Sequence, residues 1–84
     1  MRAIVLDFHE FDSPRAVHEY LADRLGFPAY YGRNLDALHD VLTDISEDTC
    51  VTVVHAGRPF ERGFSAVLLD AAAENRHFFC TGCA

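Results

Sequence analysis

Pro28-Ala29-Tyr30-Tyr31-Gly32-Arg33-Asn34-Leu35-Asp36-Ala37-Leu38-His39-Asp40-Val41-Leu42-Thr43 carries two periodicities at once. Leu35, Leu38, Leu42 and Ile45 recur at helical spacing and form an apolar stripe. Asp36, His39, Asp40 and Thr43 recur at the same spacing on a different face. The segment predicts a short helix that buries one side and offers carboxylates on another. A Tyr-Tyr-Gly turn leads into it. Asn34 is the expected N-cap, its side-chain oxygen accepting from the amide of Asp36 or Ala37. Asp36 then meets the positive end of the helix dipole. Gly32 suits a positive φ in the preceding turn. A face of this kind fits a positively charged partner.

Outward from this helix, the chain alternates between strands and helices. Ala3-Ile4-Val5-Leu6-Asp7-Phe8 is a nearly continuous apolar run, as expected of a strand buried on both faces in a parallel sheet. Ser13 is a good N-cap and Pro14 suits the first helical position. Val17, Tyr20, Leu21 and Leu25 make the apolar face of that helix, and Gly26 can end it in the left-handed conformation. Cys50-Val51-Thr52-Val53-Val54-His55 reads as a second buried strand, with Cys50 a small buried hydrophobe. A third helix begins at Phe60 or Gly63, uses Phe64, Val67, Leu68 and Ala71 or Ala72, and ends near Glu74-Asn75. His77-Phe78-Phe79-Cys80 is a short third strand. Strands separated by helical crossovers predict an α/β fold with a parallel sheet. At 84 residues one domain is expected, spanning 1–84, with a modest core.

Thirteen acids against seven bases leave a net charge of −6, and every base is arginine. From Leu35 to Thr49 there are five acids (Asp36, Asp40, Asp44, Glu47, Asp48) and no arginine. Such a field repels nucleic acid and draws in basic partners. No apolar run approaches the roughly 20 residues of a membrane span. The N-terminus reaches Asp7 too soon for a secretory signal, so a cytoplasmic protein is expected. Three cysteines, Cys50, Cys80 and Cys83, argue for thiols over a disulfide framework.

Tyr30-Tyr31-Gly32-x-Asn34-Leu35-Asp36-Ala37-Leu38-x-Asp40-x-Leu42-Thr43 closely resembles the signature of the barstar family, intracellular inhibitors of secreted bacterial ribonucleases. The resemblance covers the whole chain in outline and Pro28–Thr43 residue by residue. It implies a three-stranded parallel sheet packed with helices. The family's additional short helix after the second strand is expected to be reduced or lost, because this chain is shorter between His55 and Gly63. The implied partner is a basic extracellular-type ribonuclease, or a nuclease toxin in an immunity pairing. No nucleic acid, membrane, metal or cofactor is implied, and the free chain is expected to be a monomer.

By the same resemblance, Asp40 stands at the dominant contact carboxylate and Asp36 at a second one. Tyr30 aligns with an aromatic that packs on the partner's catalytic region. Gly32 and Asn34 align with contacts at the helix start, and Thr43 with a contacting threonine. His39 stands where the family has a tryptophan, Asp44 where it has a glycine and Ile45 where it has a tryptophan. Arg33 replaces a glutamate. The acidic contact from the last helix falls near Ala73, and Glu74, one residue away, is a candidate substitute. Each position also has a plainer use: Asn34 as a cap, Gly32 for its backbone angle, Asp36 for the dipole, Thr43 and His39 as helix-surface residues. Of the two tyrosines, Tyr31 is expected inside. Asp40 has the weakest structural reason to be there, because aspartate is a poor former of mid-helix turns.

Three other readings compete. Asp36, His39 and Asp40 resemble an acid–base group, but no nucleophile accompanies them and a convex helix face lacks a pocket. Cys80-Thr81-Gly82-Cys83 is half of a zinc site or a redox motif, with His55 and His77 as the obvious further ligands. A generic interaction module with another basic partner also fits the charge. The predicted site has no catalytic residue.

Overall fold

The computed structural model describes residues 1–82. Three strands, β1 (Arg2–Asp7), β2 (Thr49–Val54) and β3 (Phe78–Thr81), form one sheet in the order β1-β2-β3. Both pairings are parallel, with Leu6 beside Val53 and Val51 beside both Ile4 and Cys80. Helices α1 (Pro14–Leu25) and α2 (Leu35–Thr43) connect β1 to β2, and α3 (Pro59–Glu74) connects β2 to β3. A 3-10 turn at Phe8–Glu10 follows β1. His55–Gly57 lead almost directly into α3, and no helix stands between β2 and α3, as the short connection implies.

Local chemistry sets the element ends. Ser13 Oγ accepts from Ala16 N at 3.3 Å, with Pro14 in the first turn. Gly26 adopts φ 69°, and the amides of Gly26 and Phe27 both donate to Ala22 O. Asn34 Oδ1 accepts from Ala37 N at 2.8 Å and starts α2. The start of α3 is held by a buried carboxylate. Glu61 accepts from the amides of Gly57 (2.8 Å) and Arg58 (2.7 Å), and Arg58 donates to Glu61, Phe8 O and Phe11 O. This arrangement ties α3 to the segment after β1. At the other end of α3, buried Asn75 donates to Leu42 O and Ile45 O, each at 2.9 Å, and ties the end of α3 to the carbonyls where α2 stops.

The helices cover one face of the sheet. Leu6, Val51, Val53 and Phe78 from the strands meet Val17, Leu21, Leu25, Leu38, Leu42, Phe64, Leu68 and Ala71 from the helices. The opposite face carries Ala3, Val5, Cys50, Thr52, Val54, Phe79 and Thr81, and none of these is buried. Val5 is 57% exposed and Phe79 41%. The expectation of strands buried on both faces is therefore corrected: this is a two-layer α/β arrangement, and β1 is apolar on a side that no helix covers. Cys50 lies on that open side and is half-buried rather than buried. Among the described residues no helix is long and apolar enough to cross a membrane.

Candidate protein-binding site

Helix α2 packs by Leu38 and Leu42, both fully buried, with Val41 and Ile45 at the margin. Leu35 stays 37% exposed and leans against α3, where Gly63 gives it room: a Cβ there would stand 3.4 Å from Leu35 Cδ1. With this stripe inward, Asp36, Asp40 and Asp44 all face solvent. The Asp40 side chain is 84% exposed. Among the described residues no arginine lies within 4.0 Å of Asp36 or Asp40. Carboxylates four residues apart on a helix have Cβ atoms about 6 Å from each other, so the two present a fixed anionic pair.

The loop before α2 is held in place by a buried polar contact. Tyr31 Oη and His18 Nδ1 are 2.6 Å apart, both residues are buried, and the His18 ring lies against Phe64. Burial pushes the Tyr31 phenol up to about 12 and holds His18 below the usual imidazole range, so both stay neutral near neutral pH. With Tyr31 inside, Tyr30 points out and is 89% exposed. Tyr30 and Asp44 flank a shallow groove of about 270 Å³ floored by Phe27, Val41 and Ile45. Gly32 does not take the positive φ expected of it; Arg33 does, at φ 53°. Gly32 instead sits under the cap, where a Cβ would lie 3.2 Å from Asn34 Nδ2 and 3.4 Å from Ala37 Cβ. Arg33 turns toward Glu19 at 3.9 Å rather than toward the aspartates.

The remaining candidates divide. His39 and Glu74 come together: His39 Nε2 hydrogen-bonds Glu74 Oε2 across α2 and α3, while His39 Nδ1 stands 4.0 Å from Asp40. Glu74 thereby joins the acidic face, but as a partner of His39 as well as a carboxylate. The Thr43 hydroxyl donates to Asp40 O at 2.9 Å, which uses its proton within the helix. Asn34 serves as the cap and also donates its side-chain amide to Gly32 O at 3.3 Å. Sequence reading missed His18 and Asn75, which hold the loop and the end of α2. The signal for His18 was its place between Val17 and Leu21 on the buried face of α1; Asn75 gave none beyond its position at a helix end. The C-x-x-C reading requires Cys83, which lies outside the described residues; Cys80 is half-buried in β3. His55 and His77 are each paired with a carboxylate, Asp7 and Asp48 respectively, both at 2.9 Å.

Residues 1–78 match the sequence model of the family described as Barstar (barnase inhibitor). The chain belongs to the barstar family. A protein of Bacillus subtilis (strain 168) named "Putative ribonuclease inhibitor YrdF" is 54% identical over 43 residues, 51% of this chain and 47% of that protein. The match thus spans about half of that relative's length. The barstar-family fold here keeps α2 and its entry loop as a continuous exposed surface, on which Tyr30, Asp36, Asp40 and Asp44 are all open to solvent.

Proposed function

We propose that this barstar-family chain is a non-enzymatic inhibitor that seats the acidic face of α2 in the active site of a basic, guanyl-preferring microbial ribonuclease. The observation that supports this is the exposed pair Asp36 and Asp40, with no arginine within 4.0 Å among the described residues, and exposed Tyr30 in the loop before them. A ribonuclease site binds phosphate through Arg, Lys and His. Rigid carboxylates at matching spacing occupy the same donors, and Arg–carboxylate pairing adds direction through two parallel hydrogen bonds. No group on the inhibitor needs to react. Asp40 is placed in the deepest positive pocket, with Asp36 and Asp44 beside it and Tyr30 on the rim of the catalytic region. Gly32, Asn34 and Thr43 line the contact, and Glu74, held by His39, supplies the acidic group from α3. The net charge of −6 accelerates encounter with a basic enzyme.

The test is inhibition of a panel of small guanyl-preferring ribonucleases at low and high salt. Inhibition of at least one, with an association rate that falls as salt rises, is expected. A chain that binds none of them refutes the reading. Binding without loss of ribonuclease activity would make it an interaction module of another kind.

A further inference from the structure

Away from α2, the carboxyl ends of β1 and β2 bring together Asp7, His9 and His55. Asp7 closes β1, His9 lies in the 3-10 turn after it, and His55 is the first residue beyond β2. The pairing of Asp7 with Val54 sets these segments side by side. Asp7 Oδ1 is 2.9 Å from His55 Nδ1 and also accepts from His9 N at 3.0 Å. The two imidazoles stack face to face, 3.8 Å between centroids and 6° from parallel. One ligand atom from each of the three residues lies within 4.8 Å of the others. His55 holds this place with φ 61°, a left-handed backbone that a side-chain-bearing residue seldom takes.

We propose that Asp7, His9 and His55 form a binding site for a divalent transition-metal ion of the zinc type. Two imidazoles and one carboxylate are a donor set suited to zinc, cobalt, nickel or copper and ill-suited to magnesium or calcium, which take oxygen ligands. In a tetrahedral zinc site, neighbouring donors stand about 3.3 Å apart. The Asp7–His55 pair is already near that separation, and His9, whose ring is stacked parallel to that of His55, has to turn out of the stack for its lone pair to meet the same ion. The metal displaces the proton between Asp7 and His55. His9 and His55 are exposed, and they line an open cavity of about 380 Å³ with Asp12, Gly57, Arg58 and Glu61. Arg58, a cation in that lining, is neutralised by Glu61 at 2.5 Å. A bound ion would cross-link β1 to β2 and stabilise the folded chain.

Calorimetric titration of the reduced full chain with zinc chloride tests this. One zinc per chain is expected, undiminished by millimolar magnesium. His9→Gln or His55→Asn should weaken binding at least tenfold, asparagine being chosen because it tolerates the left-handed backbone. His77→Gln, at the separate His77–Asp48 pair, should leave affinity unchanged. Cobalt bound to the unaltered chain provides a readout that needs no variant: visible d–d bands without a sulfur-to-cobalt charge-transfer band. No binding, binding that survives His55→Asn in a folded variant, or a thiolate band from the cysteines would each overturn the proposal.

Discussion

The carboxylates of α2 and those at the carboxyl edge of the sheet live in opposite circumstances. Glu61 is 2% exposed, and burial alone would raise its pKa; the amides of Gly57 and Arg58 and the Arg58 guanidinium outweigh that and hold it below the usual range. Asp7 is committed to His55 and to the His9 amide. Asp36 and Asp40, by contrast, have no arginine within 4.0 Å among the described residues, and Asp40, with only the His39 ring near it, stands almost fully in water. The same functional group is used in one region to hold segments together and in the other to present charge outward. The difference between them is whether local donors exist, and it separates residues needed for folding from those available to a partner.

The largest effect that would sharpen this contrast is on binding. Asp40→Ala should weaken the complex with an inhibited ribonuclease at least thirtyfold, mostly through faster dissociation, because it leaves buried cations of the enzyme unpaired. Its unfolding free energy should change by no more than about 0.5 kcal/mol. Surface plasmon resonance and chemical denaturation measure the two, and an unchanged affinity would move the interface off α2. Arg58→Ala should behave in the opposite way. It strips the buried Glu61 carboxylate of its cation and the Phe8 and Phe11 carbonyls of a donor. A loss of about 2 kcal/mol is expected, less than for a fully buried pair because Arg58 is half exposed, with ribonuclease affinity of the folded fraction retained.

Asn75→Ala should cost about 1–2 kcal/mol, because it removes the side-chain donor to Ile45 O and leaves Leu42 O only its long bond from the Ile45 amide. A denaturation midpoint equal to that of the unaltered chain would show that water replaces Asn75. The smallest effect concerns pH. Because folding lowers the His18 pKa, the unfolded chain takes up a proton first as pH falls below the ordinary imidazole value of about 6.5. Stability present above that pH is therefore lost as pH falls toward the folded value, by at most one proton's worth of slope. Thermal melts between pH 7.5 and 5.5 should show this loss, and His18→Gln should flatten it.

How much of this was legible beforehand depends on the range of the interaction. Ser13, Pro14, Gly26 and Asn34 act on amides within a few residues, and their roles could be read directly. Tyr31 is inside and Tyr30 outside, as expected from the sequence. The open face of the sheet was hidden because Ala3 and Val5 are apolar but exposed, so the β1 run masked its own alternation. The left-handed residue is Arg33 and not Gly32; the glycine answers a demand for room, because a Cβ there would crowd Asn34 and Ala37, and that crowding arises only once α2 is in place. His39 with Glu74, Asn75 with Leu42, and Asp7 with His55 join residues 35, 33 and 48 positions apart. Pairing at such separations is set by topology, and no local pattern announces it.

The hydrogen bond between His18 and Tyr31 has one more consequence. It anchors the residue next to Tyr30, so the exposed phenol ring is delivered on a backbone that has already given up its freedom. The ordering cost falls on folding rather than on association, and a partner meets a preorganised surface. Loosening that single internal contact should therefore slow capture of the enzyme even though neither residue touches it.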